Sequence, residues 1–121
     1  MKRWMRMLPL AALALTMASP VAAHTRMERS VPAANSTVVV SPPRLTLWFS
    51  ERLEPAFSKV QVLNPQGKQA DKDDAQVDPG DARQIGVSLP ELAAGTYRVH
   101  WRVLSVDSHV NEGDFTFDVR P

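Results

Sequence analysis

The sequence predicts an all-β domain, a Greek-key sandwich or barrel of about seven short strands. Three observations carry that expectation. Apolar and polar residues alternate with period two in several runs, the pattern of strands with one buried face. No segment after residue 24 shows a helical period, and prolines at 32, 42, 43, 55, 65, 79 and 90 interrupt any long helix. Each run ends at Pro, Gly or Asn, the punctuation expected of a sandwich of about 100 residues. A chain of 121 residues has room for one such domain and no second.

The first 23 residues stand apart from that domain. Lys2, Arg3 and Arg6 precede a run rich in Leu8, Leu10, Leu13 and Leu15, followed by Ser19-Pro20-Val21-Ala22-Ala23. A charged start, a short apolar stretch and a small-residue exit form a secretory signal peptide, and the apolar run falls short of the about 20 residues that a membrane span needs. Val21 and Ala23 suit cleavage between Ala23 and His24. Removing residues 1–23 from the 121 leaves a mature domain of 98, residues 24–121. The leader holds three basic residues and no acid, so its removal takes the net charge from +1 to −2. No basic patch remains to favour nucleic acid. The exported domain is expected in the periplasm, without a membrane anchor. The chain has no cysteine, which excludes disulfides, zinc–thiolate sites, iron–sulfur clusters and cysteine nucleophiles.

Within the domain, Arg44–Phe49 alternates with Leu45, Leu47 and Phe49 on one face. Phe57–Asn64 alternates less cleanly and ends in the turn Asn64-Pro65-Gln66-Gly67. Ile85, Val87 and Leu89 form another run. Thr96–Leu104 is the longest, with Tyr97, Val99, Trp101 and Val103 facing one way and Arg98, His100 and Arg102 the other. Phe115, Phe117 and Val119 close the chain. Val38–Val40 and the stretch around Val77 add short strands, and Glu91–Gly95 has the composition of one helical turn. The expected core is Leu47, Phe49, Val60, Val62, Val87, Leu89, Tyr97, Val99, Trp101, Phe115 and Phe117.

Three histidines are available for chemistry: His24, His100 and His109. At a processed terminus, His24 offers its α-amine and ring Nδ1 to one metal as a chelate. The amine titrates at about 7.7–8.0, so a metal displaces its proton near neutrality. The plainer reading of His24 is an accidental flank. Asp107-Ser108-His109 follows the longest strand; if the strand end stays extended, Asp107 and His109 point the same way. Alone, this spacing reads as a solvated turn. Together with His24 it makes three nitrogens and one carboxylate oxygen, a set suited to Cu(II). Met27 is the one methionine of the mature domain, so a thioether Cu(I) site has no support. His100 is expected on the exposed strand face. The acidic tract Asp71-Lys72-Asp73-Asp74 lacks the glycine and glutamate of a calcium loop and reads as a solvated hairpin. No G-x-S-x-G elbow surrounds any serine, so a hydrolase triad has no foothold.

An ordered series of motifs resembles the CopC family of periplasmic copper-binding and copper-resistance proteins. It runs from His24 through Ser30-Val31-Pro32-Ala33, Leu47-Trp48-Phe49-Ser50-Glu51 and Pro55-Ala56-Phe57-Ser58. It continues with Gly95–Ser105, Asp107-Ser108-His109 and Gly113–Val119, covering essentially all of residues 24–121. The resemblance implies a seven-stranded cupredoxin-like or immunoglobulin-like barrel that binds one Cu(II) per chain through His24, Asp107 and His109. It implies that Glu51 stands beside the site, supporting a ligand or approaching the ion weakly along its axis. Ser108 replaces the family's usual Gly or Thr. The Met-rich loop with which classical members bind Cu(I) has no counterpart, because residues 64–82 contain no Met. The expected role is copper sequestration or carriage, with a membrane transporter of the CopD type as a partner. The competing readings are a copper oxidative enzyme that uses an N-terminal histidine and a metal-free structural sandwich. The exported protein should begin at His24; intact-mass analysis checks this, and a start at Thr25 or later removes the amine–imidazole chelate.

Overall fold

The computed structural model describes residues 25–121, together with Ala11 and Ala14. The expectations for the leader's cleavage and for His24 fall outside the described residues. The strands are β1 (Met27–Val31), β2 (Thr37–Val38), β3 (Arg44–Phe49), β4 (Lys59–Leu63), β5 (Gln76–Asp78), β6 (Asp81–Ser88), β7 (Gly95–Leu104) and β8 (Val110–Val119). They form two four-stranded sheets, ordered β1-β3-β6-β5 and β2-β8-β7-β4. Pairing is antiparallel except between β2 and β8. Consecutive strands often lie in different sheets, as in a Greek-key sandwich.

The two inner faces meet in one core. All eleven residues expected there are buried, joined by Leu45, Leu53, Val77, Ile85, Leu92, Val103 and Val119. Phe49 meets the edge of Trp101 at 6.2 Å between ring centres, Phe115 lies 6.0 Å from the same indole, and Tyr97 stacks on Phe117 at 5.8 Å. With no disulfide, these contacts carry the fold; truncating a buried aromatic such as Phe117 to Ala costs about 3–5 kcal/mol.

Several elements differ from the sequence expectation, each for a local reason. The described residues hold eight strands instead of about seven. The additional β1 has the side-chain burial of an edge strand: Ser30 is buried, Met27 half-buried and the others exposed, so no hydrophobic alternation marks it. Its pairing to β3 holds it, and Arg29 stacks over Trp48 at 3.9 Å. β2 stops at Val38, leaving Val39 and Val40 largely exposed. Phe57 belongs to a short 3-10 turn, Pro55–Phe57, led by the proline that presets its dihedral angle. Glu91–Gly95 makes no helix. Ser41 accepts the Leu92 N–H at 2.7 Å, and the Ala93 carbonyl accepts the Tyr97 hydroxyl at 2.7 Å, so these backbone groups are committed elsewhere.

The acidic tract is more than a solvated hairpin. Asp71 accepts the Val62 N–H at 2.8 Å and the Asp73 N–H at 2.8 Å, and Asp74 accepts the Ser88 N–H at 2.7 Å. The carboxylates therefore stitch the loop to β4 and β6. The Ser88 hydrogen bonds hold the Asp74 carboxyl below the usual carboxylate range.

Gly113 on β8 faces Trp101, and a Cβ there would overlap the indole ring. Gly113→Ala should therefore destabilise the fold by about 1–3 kcal/mol, as overpacking does in a filled core. Denaturant titration checks this; an unchanged midpoint would show that the indole can move aside.

Candidate metal centre

β7 and β8 pair over ten positions, from Gly95↔Val119 to Leu104↔Val110. Residues 105–109 connect them. Ser105, fully buried, organises this turn. Its hydroxyl donates a hydrogen bond to Asp107 Oδ1, and its Oγ accepts the His109 N–H at 3.3 Å. Main-chain bonds from Ser105 N–H to the His109 carbonyl and from Ser108 N–H to the Ser105 carbonyl, both 2.9 Å, close it. Ser108 sits at φ +70°, in the left-handed region that favours glycine.

This turn corrects the expected extended Asp107–His109 geometry: the strand ends at Leu104, and the chain reverses through a left-handed residue. The two side chains still converge. Asp107 Oδ2 lies 3.1 Å from His109 Nδ1, and both side chains are a little under half exposed. Bonds from Ser105 first, then from His109, hold the Asp107 carboxyl below the ordinary carboxylate range.

Two other segments are fastened to the same end of the sandwich. The Arg52 carbonyl accepts the Val106 N–H at 2.9 Å, Leu53 bridges Ser105, and the Glu54 N–H donates to the Leu104 carbonyl at 2.8 Å. This lays the chain around Glu51 along the turn, and Glu51 itself is half-buried. The second segment is the start of the described domain. The Thr25 carbonyl accepts Asn111 Nδ2–H at 2.6 Å, and Asn111 Oδ1 accepts the Trp101 indole N–H at 2.8 Å. Arg26 and Ser50 exchange hydrogen bonds of 3.0 and 2.9 Å. Thr25 is 1% exposed, and its buried hydroxyl has no partner among the described residues.

Of the expected site residues, the structure brings Asp107 and His109 together and lays Glu51's segment beside their turn; His24 lies outside the described residues. Among the described residues no cluster of three potential ligand side chains occurs. His100 lies on the outer face of its sheet, 3.2 Å from Glu112 Oε1, and Arg102 approaches the same carboxylate at 3.3 Å. The strand alternation read from the sequence holds for it. A groove of about 440 Å³ lined by Leu63, Asn64, Pro65, Thr96 and Arg98 lies at the opposite end of the β7–β8 ladder and contains no histidine or carboxylate.

Sequence reasoning missed the work of Ser105, Asn111 and the Trp101 N–H. Signals existed. Ser105 stands two residues before Asp107, a spacing that favours local side-chain bonds in turns. Asn111 is a polar amide in a long strand, where Asn is depleted.

Residues 27–120 match the CopC domain family. The chain belongs to the CopC family. It is 37% identical over 113 residues to protein YobA of Escherichia coli strain K12, covering 92% of this chain and 91% of YobA. It is 36% identical over 115 residues to copper resistance protein C of Escherichia coli, covering 89% and 90% of the two chains. Among solved structures, CopC from Methylosinus trichosporium OB3b superposes with a TM-score of 0.76 at 36% identity, covering 81% of this chain and 95% of that one. The fold expected from the sequence and the copper-related role of the family are thus both established. No helix among the described residues is long and apolar enough to cross a membrane.

The depressed Asp107 pKa has a pH consequence. The stabilisation it gives the turn is full above the ordinary carboxylate pKa and is lost as pH falls through the lower folded value. Ser105→Ala removes the largest cause, so carboxyl NMR titration should show the Asp107 pKa rising toward its ordinary value and the turn loosening at a higher pH. An unmoved Asp107 titration would contradict the role given to Ser105.

Proposed function

We propose that the mature domain is a periplasmic carrier or buffer for one Cu(II) ion, held by His24, Asp107 and His109, and that it is not an enzyme. The observation that carries this reading is the 3.1 Å Asp107–His109 pair on a turn to which the segments around Thr25 and Glu51 are also fastened. Copper is cargo here, so the argument concerns the donors.

With Nδ1 of His109 set against the carboxylate, we assign the other ring nitrogen, Nε2, to the metal. The carboxylate orients that ring, as partners of metal-binding histidines commonly do. Asp107 has about four lone-pair positions on its two oxygens, so bonds to Ser105 and His109 leave it capacity to donate. Its low pKa keeps it anionic at neutral pH and so favours a dication. His24 directly precedes Thr25 in the chain, and Thr25 is tied to the strand that begins just after His109. This connectivity supports an amine–imidazole chelate from His24 completing the set.

The oxidation state follows from the donors. Nitrogen and carboxylate ligands suit Cu(II), whereas Cu(I) prefers sulfur. Met27 packs against the core instead of joining a thioether cluster, and residues 64–82 hold no methionine. Within this reading the receiving partner is a membrane copper transporter of the CopD type, as the family resemblance implies. Copper-loaded protein should show no sustained ascorbate or peroxide turnover.

Competitive Cu(II) titration of the mature protein at neutral pH tests the ligand set. His24→Ala, Asp107→Ala and His109→Ala should each weaken binding strongly. Glu51→Gln should cost on the order of 10- to 100-fold. His100→Ala should cost nothing, since Glu112 holds it on the outer face. Affinity should fall with pH as the amine, the imidazoles and finally the carboxylate take up protons. Equal damage from His100→Ala and His109→Ala would overturn the assignment, and tight retention of Cu(I) would overturn the Cu(II) preference.

A further inference from the structure

We propose that Asn111 is a positioning residue for the copper site, fixing the N-terminal ligand segment relative to His109 before metal arrives. The inference rests on the copper reading above and adds a residue to it.

The Asn111 amide is used at both ends, and its orientation follows from chemistry. The Trp101 indole N–H is a donor only, so the Asn111 atom 2.8 Å from it must be the oxygen. The amide nitrogen then faces the Thr25 carbonyl, an acceptor only, at 2.6 Å. Flipping the amide would oppose donor to donor and acceptor to acceptor. The indole is itself confined: Phe49 and Phe115 pack against it, and it lies over Gly113, where no Cβ intervenes. A continuous chain of contacts therefore runs from the aromatic core through one amide to the peptide of Thr25.

Thr25 is almost wholly buried, and the chain is held again one residue later by the Arg26–Ser50 exchange. His109 precedes Asn111 by two residues, roughly 7 Å of chain at most. The two ligand-bearing segments thus hang from the same residue, one through its backbone and one through its amide. Fixing their separation in the metal-free protein removes an ordering cost from copper binding, the usual effect of preorganisation. A polar side chain whose only function was to satisfy the indole would need one of these bonds, not both.

The test uses the mature protein, residues 24–121, with Cu(II) as the probe. Asn111→Leu keeps the size and removes both hydrogen bonds. Asn111→Gln keeps both amide functions and lengthens the arm by one methylene. Affinity comes from competitive titration, and the ligand field from electron paramagnetic resonance of the copper-loaded folded protein. Asn111→Leu should lose on the order of 10- to 100-fold in Cu(II) affinity and give a broadened, heterogeneous spectrum. Asn111→Gln should fold like the parent, lose less affinity, and give a shifted but homogeneous spectrum; it decides the matter if Asn111→Leu does not fold. Parent-like affinity and spectrum in the folded Asn111 variant, while His24→Ala abolishes binding, would overturn this inference and leave the copper reading intact. Parent-like binding by His24→Ala itself would instead overturn the copper reading.

Discussion

The closure of the β7–β8 hairpin in five residues is the constraint on which the rest of this end of the molecule depends. Ten paired positions bring Leu104 and Val110 face to face, and the chain must reverse between them. It does so through Ser108 in the left-handed region, a conformation that a non-glycine residue keeps only where its surroundings enforce it. Ser105 supplies that enforcement. Fully buried, it contacts both Asp107 and the backbone of His109. The hydrogen bonds that satisfy the reversal also place a carboxylate against an imidazole. Here local folding and site chemistry are one set of interactions.

A second link joins the core to the site. Trp101 fills the interior with its ring and commits its N–H to Asn111, which holds the chain at Thr25. Buried indoles need a partner for that N–H; in this fold the partner also anchors the segment next to the expected N-terminal ligand. Ser50 and Arg52 fasten the remaining strand connection to the same end. The far end of the hairpin, by contrast, offers a groove without histidine or carboxylate. Asp107 and His109 therefore stand where three separate chain segments are cross-tied by hydrogen bonds.

Much of this was legible in the residues because burial in a two-sheet sandwich writes a period of two into the chain. Leu45, Leu47 and Phe49, or Tyr97, Val99 and Trp101, announce their strands and their inward faces, and His100 its outward one. The juxtaposition of Asp107 and His109 was legible by type and spacing. What was not legible depends on backbone pairing or long-range contact. β1 carries little hydrophobic signal because its pairing, not its side chains, makes it a strand. The turn at Ser108 is set by closure geometry, so an extended reading of Asp107–His109 reached the right juxtaposition through the wrong backbone. The acidic loop resembled a solvated tract because the N–H groups of Val62 and Ser88, which its carboxylates cap, are distant in sequence. Asn111 acts across 86 residues on Thr25, a relation that no local pattern encodes.

Under the proposed function, copper binds at the end of the sandwich where residues 25–26, 50–53 and 105–111 meet. The most direct measurement is the amide NMR spectrum of the mature protein as one equivalent of Cu(II) is added, because the paramagnetic ion erases nearby signals. With copper held there, signals from those three segments should vanish together while those of residues 63–67, 96–98 and 116–119 persist. Losses centred instead on His100, Glu112 and Asp114, or on the acidic loop of residues 71–81, would contradict it.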